Sequence, residues 1–165
     1  MGGFLVIRTI AAVTLGICFL SVAAGTASAQ LLEKKTISLA AAKKMAAGAE
    51  AEAAKNNWTM VISVLDDGGN LVYLERMDGT QLGSIEVSQA KARTAIEFKR
   101  PTKAFQDLVD QGQPHLVTLD HITAVQGGLP ITVEGKIIGA IGASGGTSAQ
   151  DEQCAQAGLN ALGTP

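Results

Sequence analysis

The stretch MVISVLDDGGNLVYLERM, residues 60–77, decides the fold of this 165-residue chain. It contains two β-rich runs, Met60 to Asp66 and Leu71 to Met77, around the turn-forming cluster Asp67-Gly68-Gly69-Asn70. Runs of this kind joined by such a cluster predict a β-hairpin. Both faces of the first run are largely apolar, which indicates a central strand covered on both sides.

Outside this hairpin the sequence predicts a second hairpin and four helices. The second hairpin joins Leu129–Val133 to Lys136–Ser144 through Glu134-Gly135. The predicted helices run from Ser38 to Lys55, from Ser84 to Lys99, from Thr102 to Asp110 and from Ser148 to Leu162. The order α-β-β-α-α-β-β-α, with two hairpins and no βαβ alternation, predicts an α+β fold in which helices pack on an antiparallel sheet.

The N-terminus is typical of a secretory signal peptide, residues 1–29. Arg8 precedes an apolar run that ends in the A-x-A cleavage site Ala27-Ser28-Ala29, so we expect the mature chain to begin at Gln30. A retained membrane anchor is the alternative, but the run is short for a bilayer crossing. We therefore expect a periplasmic or secreted protein with no stable membrane anchor after cleavage.

The remaining part, residues 30–165, has the length of a single domain. The whole sequence carries a net charge of −2, and loss of Arg8 makes the mature part more negative. Nucleic acid is therefore not an expected partner, because phosphate binding needs clustered Lys and Arg. Cys154 is the only cysteine after residue 29, which excludes an intramolecular disulfide.

The glycine-rich stretch 139–146 matches none of three enzyme motifs well. It lacks the G-x-G-x-x-G spacing of dinucleotide sites and the lysine of a phosphate-binding loop. Gly142-Ala143-Ser144-Gly145-Gly146 does fit the G-x-S-x-G pattern, but both histidines precede Ser144, whereas that hydrolase fold places its histidine after the serine. No hydrolase, dehydrogenase or nucleotide hydrolase site is recognisable.

Three charged positions have both a structural and a ligand-binding interpretation. Ser148 to Asp151 reads as a capping box, although Asp151 could also be functional while backbone amides at the helix start hold an anion. Arg76 lies on the same side of its strand as Val72 and Leu74, which is the core-facing side if the strand alternates, and would need Asp78 or an acidic ligand as partner. Lys91 lies on a partly apolar helical stripe, from which we expect its ammonium to reach outward.

Together these segments resemble the haem-degrading, HbpS/GlcG-like family. The matching motifs occur in one order: Arg76-Met77-Asp78-Gly79, Lys91-Ala92, Gly127-Gly128-Leu129-Pro130-Ile131, Gly139 to Gly145, and Gln150-Asp151-Glu152. The resemblance implies a profilin-like antiparallel sheet, assembly into homo-oligomers and, for exported members, haem binding with slow haem degradation or action beside a sensor kinase. Arg76, Asp78, Lys91, Gly127 and Gly128 match its signature positions.

The leading hypothesis is an exported haem-binding or tetrapyrrole-binding protein. Arg76 and Lys91 would pair with propionates, beside a hairpin that contributes Gly127, Gly128, Ser144 and Gly145. We expect these groups to converge on one hollow. His121 is the candidate axial ligand, because histidine commonly ligates haem iron.

Two alternatives remain open. The chain could carry or sense an organic acid through Arg76 and the amides near Gly145, or it could be a structural oligomer without a ligand. Neither His115 nor His121 has metal-cluster spacing with the other, so the sequence predicts no zinc site.

Overall fold

The computed structural model describes residues 30–163 and confirms the predicted α+β fold and the order of its elements. The helices are α1 (Leu39–Lys55), α2 (Gly83–Glu97), α3 (Lys103–Asp110) and α4 (Ser148–Leu162), with a 3-10 helix at Pro114–Thr118. The strands are β1 (Val61–Asp66), β2 (Leu71–Arg76), β3 (Gly128–Val133) and β4 (Lys136–Ser144). The predicted signal peptide, residues 1–29, lies outside the described residues.

The four strands form one antiparallel sheet in the order β2-β1-β4-β3. β1 is the first strand of the first hairpin and β4 is the second strand of the second hairpin. These two strands pair from Val61 opposite Ser144 to Asp66 opposite Gly139. β1 is therefore a central strand, as its apolar sequence predicted, and five of its six residues are buried. β2 and β3 are the edges of the sheet.

Helices cover both faces of the sheet because side chains of β1 alternate between them. Ile62 and Val64 face α1 and α4 and join the main apolar core. Ser63 and Leu65 face α2, where Ser63 Oγ lies 2.7 Å from Ser88 Oγ and Leu65 packs on Ala92. The elements from α1 to α4 belong to one compact unit that begins at Glu33.

The backbone of α2 lies directly against β3 and β4. A Cβ at Gly142 would collide with Ser88 O and Ala92 N, and one at Gly128 would collide with Lys91 O. Glycine is required at these two strand positions because it alone lets a helix backbone approach so closely. This contact fixes the height of α2 above the sheet and brings Lys91 to the strand ends.

The caps of α1 and α4 differ in how well the sequence predicted them. Ser38 caps α1, accepting a hydrogen bond from Ala41 N at 3.2 Å, as expected. The Ser148–Asp151 capping box is wrong, because the extended residue before α4 is Thr147. Thr147 and Gln150 form the box, with Thr147 N donating to Gln150 Oε1 at 2.8 Å, and Asp151 is left for another role.

In the part of the chain that the structure describes, no helix is both long and apolar enough to cross a membrane. Within the same residues no group of three or more His, Cys, Asp or Glu side chains could hold a metal ion.

Candidate functional site

A buried ion pair joins α2 to α4 past the end of the sheet. Lys91 Nζ donates to Asp151 Oδ2 at 2.6 Å, and the two side chains are only 1% and 4% exposed. Lys91 Nζ also donates to Ala143 O at 3.1 Å, and Gly146 N donates to Asp151 Oδ1 at 3.0 Å. Both charges therefore have hydrogen-bond partners besides each other, as buried charges require.

Gly127 closes this arrangement from the side of β3. A Cβ added there would lie 2.8 Å from Asp151 Cβ, 2.9 Å from Lys91 Nζ and 3.0 Å from Ala143 O. Gly127 also has a φ of +123°, which side chains rarely adopt, and its carbonyl accepts from Ala143 N at 2.9 Å. The start of β3 thus packs directly on the ion pair.

The groups around the ion pair are buried, and burial shifts their pKa values. Burial lowers the pKa of Lys91, whereas the hydrogen bond and charge of Asp151 and the nearby Glu152 act in the opposite direction. Burial, with the negative charge of Asp151, raises the pKa of the Cys154 thiol to about 12. Cys154 is therefore a protonated, buried thiol and not a nucleophile at neutral pH.

The structure brings three of the predicted site residues together, but not around an open hollow. Lys91, Asp151 and Gly127 meet where β3 begins and β4 ends, and all three are buried. Ser144 is buried at the end of β4, where its hydroxyl donates to Ser84 Oγ at 3.1 Å. The expectation that the Lys91 ammonium reaches outward is wrong, because the close approach of α2 leaves it between the strand ends and Asp151. An external propionate cannot reach it in this arrangement.

Arg76 and Asp78 are exposed. Arg76 pairs with Val61, which pairs with Ser144, so Arg76 and Ser144 share one row and face of the sheet with backbones about 10 Å apart. The prediction that Arg76 is core-facing is wrong, because α2 packs over β1, β4 and β3 and leaves edge strand β2 open on that side.

Amides at the start of α4 are engaged within the chain. Gly146 N donates to Asp151, Thr147 N donates to Gln150, and Gln150 N donates to Thr147 Oγ1 at 3.4 Å. Gly145 itself packs against the backbone of Thr59 and Met60. These contacts occupy donors that an organic acid bound near Gly145 would need.

His121 lies on a loop that is fixed to the middle of α2. Its backbone has a φ of +62°. The buried Thr94 holds the loop from His121 to Thr123, since Thr94 Oγ1 donates to His121 O at 2.7 Å and accepts from Thr123 N at 2.9 Å. His121 Nδ1 lies 2.8 Å from Glu97 Oε2, and the two side chains are 55% and 37% exposed.

A groove of about 300 Å³ runs between this loop and the outer side of α2. Its lining combines charged, polar and small apolar groups: Glu86, Gln89, Ala90, Arg93, His121, Ile122 and Thr123. The sequence interpretation included His121 but missed Arg93, Thr94 and Glu97. Helical spacing places residues 86, 89, 90, 93 and 97 on one side of α2, but nothing in that pattern indicated which loop packs there.

We expect Gly127→Ala to destabilise the fold by displacing the ion pair, with a loss of about 2 kcal/mol or more in the free energy of unfolding. Gly135→Ala is the matched control, because Gly135 also has a positive φ, +74°, but nothing lies within 4 Å of its added Cβ. Urea unfolding of both variants measures the difference. Equal losses in the two variants would mean that the side chain at 127 does not disturb the pair.

Comparison with known proteins shows the family. Residues 37–160 match the family described as haem degrading protein HbpS-like. The chain is 47% identical over 100 residues to protein GlcG of Escherichia coli strain K12, covering 61% of this chain and 74% of GlcG. It is 31% identical over 107 residues to the corrinoid adenosyltransferase PduO of Salmonella typhimurium, covering 62% of this chain and 32% of PduO.

Solved structures agree with these matches. A double mutant of Streptomyces reticuli HbpS superposes with a TM-score of 0.76 at 28% identity, covering 94% of this chain and 99% of that one. The PduOC:heme complex superposes with a TM-score of 0.72 at 26% identity, covering 79% of this chain and 97% of that one. On the family match, the likeness to GlcG and these two structures, the chain belongs to the haem-degrading, HbpS-like family.

Proposed function

We propose that the chain binds haem, or a closely related tetrapyrrole, in the groove between α2 and the His121 loop. Membership of the HbpS-like family and the likeness to a structure solved as a haem complex support haem as the ligand class. The geometry of His121 supports this groove as the place. The observation that carries the proposal is a histidine on a fixed backbone with one ring nitrogen engaged and the ring half exposed beside a groove.

The groove fits one edge of a flat macrocycle. Its volume lies at the lower end of the range for small-molecule sites, and it is open to solvent, so part of the ring system would remain uncovered by one chain. Ala90 and Ile122 provide apolar contact. The uncovered part is a reason to propose a homo-oligomer, in which a second copy completes the burial.

Arg93 is the cation that fits a propionate. It is exposed and lines the groove together with His121. It takes the role that the sequence interpretation gave to Lys91, whose ammonium is committed to Asp151. A guanidinium suits this role, because it presents paired N–H donors to a carboxylate.

Haem bound here would supply the redox chemistry of its iron, which includes slow haem degradation. The residues of the chain would bind and orient the haem: His121 would offer Nε2 to the iron and Arg93 would hold a carboxylate. Because the relative PduO is a corrinoid adenosyltransferase, a corrinoid is the alternative tetrapyrrole ligand. We further propose export through residues 1–29, with the mature protein acting in the periplasm or outside the cell.

Haemin titration of the mature chain, residues 30–165 without a histidine tag, tests the ligand and the groove. We expect a Soret band with the wild type and an affinity about tenfold lower or worse in His121→Ala, because an axial ligand is lost. His115→Ala is the matched control, since His115 is exposed on the 3-10 helix. Iron-free protoporphyrin IX should bind the wild type and His121→Ala equally.

A wild type without a haemin-induced spectrum would contradict haem binding. If the protein bound a corrinoid and not haemin, the ligand class would be a corrinoid instead of haem. Identical haemin spectra and affinities in wild type and His121→Ala would remove His121 and leave the haem site elsewhere.

Export is tested by expressing the full chain in a Gram-negative host and measuring the mass of the periplasmic protein. We expect an N-terminus at Gln30, because Ala27 and Ala29 provide the small residues that cleavage needs. Ala29→Leu should block processing, whereas Ser28→Leu, at the middle position of the motif, should be cleaved. An unprocessed, cytoplasmic wild type would rule out the signal peptide.

A further inference from the structure

The contact between His121 and Glu97 determines where the ring proton lies. An ionised carboxylate can only accept hydrogen bonds, so the 2.8 Å contact from Nδ1 to Glu97 Oε2 requires the proton on Nδ1. In the neutral ring the lone pair is then on Nε2. That is the nitrogen at the far end of the ring from Glu97.

The backbone contact with Thr94 adds a second constraint. Because Thr94 Oγ1 bonds to His121 O and to Thr123 N, the backbone from His121 to Thr123 is held by a buried side chain of α2. Glu97 lies one helical turn, three residues, further along the same helix. One rigid element therefore fixes both the position of the residue and the rotation of its ring.

We propose that Glu97 is a positioning residue for His121, holding the ring as the Nδ1–H tautomer with Nε2 available to ligate iron. The inference rests on the proposed haem site. Metal-ligating histidines commonly donate their second N–H to a carboxylate, which orients the ring and makes the ligating nitrogen more basic. Glu97 supplies that carboxylate, and the sequence places it 24 residues before its partner.

The other charges of the groove do not have this contact. Glu86 and Arg93 line the same groove as His121, and the hydrogen bond to Nδ1 comes from Glu97. Glu86→Gln is therefore a control for charge: it removes a carboxylate charge from the same helix and leaves the contact with His121 Nδ1 in place. An effect that Glu97→Gln has and Glu86→Gln lacks would come from the hydrogen bond to His121 and not from the overall electrostatic field of the groove.

The first test needs no haem. Long-range ¹H–¹⁵N spectra of ¹⁵N-histidine protein at about pH 9, above the ordinary histidine pKa, report the tautomer of each neutral ring. The sequence has two histidines, so His115→Ala assigns the spectrum. We expect predominantly Nδ1–H for His121 in wild type and Glu86→Gln, and a shift toward Nε2–H in Glu97→Ala. A wild-type His121 with its proton on Nε2 would overturn the proposal.

The second test uses haemin. Glu97→Gln keeps the size of the side chain and removes its charge, so we expect haemin affinity to fall about tenfold and the ferric/ferrous reduction potential to rise. Glu86→Gln, which changes a residue of the groove wall, should leave the Nδ1–H tautomer of His121 unchanged. Glu97→Asp should restore part of the affinity. Haemin binding with an unchanged affinity and potential in Glu97→Gln would overturn the proposal.

Failure of the proposed haem binding and failure of the positioning role of Glu97 give different results. A wild type that binds no haemin, but shows the Glu97-dependent Nδ1–H tautomer, contradicts the proposed function and supports the positioning of the ring. A wild type that binds haemin with a tautomer independent of Glu97 supports the function and contradicts the positioning.

Discussion

The hydrogen-bonded ion pair between Lys91 and Asp151 is the constraint on which the rest of the structure depends. It ties the helix on one face of the sheet to a helix on the other, around the ends of β3 and β4. Two charges removed from water need further hydrogen-bond partners, and here Ala143 O and Gly146 N provide them. The glycine at 127 leaves the space that the pair fills. Lys91, Asp151 and Gly127, which belong to the family motifs, thus maintain the scaffold.

α2 connects this scaffold to the groove. Its inner side presents Ser88 and Lys91 to the sheet, and its outer side presents Arg93 and Glu97 to solvent. The close contact at the β4 glycine fixes α2 on the sheet. The His121 loop is bonded to Thr94 of α2 and is therefore held in place as well. A ligand site on a rigid helix can hold a ring and an iron atom in one geometry without ordering a loop first. The scaffold role of the buried residues and the proposed binding role of the groove are therefore linked through one helix.

Much of the fold could be predicted from the sequence, and much of the site could not. The hairpin at residues 60–77 and the covered strand β1 follow from local turn chemistry and apolar runs, which act over a few residues. The sequence predicts an outward-facing Lys91, because its partner lies 60 residues later and only the close approach of α2 buries it. The pattern Ser148–Asp151 predicts a capping box, whereas the N-cap is Thr147, one residue earlier, which leaves Asp151 free to pair with Lys91. Glu97 carried no signal, since its role depends on a loop 24 residues away.

A double-mutant cycle on Lys91→Met and Asp151→Asn measures the central interaction directly, with unfolding free energy as the readout. We expect each single variant to lose about 3–5 kcal/mol in the free energy of unfolding, because an unpaired charge or its carbonyl and amide partners stay buried. The double variant should lose much less than the sum of the two single losses. The exposed pair Lys103 and Asp107, 2.6 Å apart on α3, is the reference and should show a coupling of about 0.5 kcal/mol. Additive losses as small as those of the reference pair would contradict a buried ion pair that holds the two helical layers together.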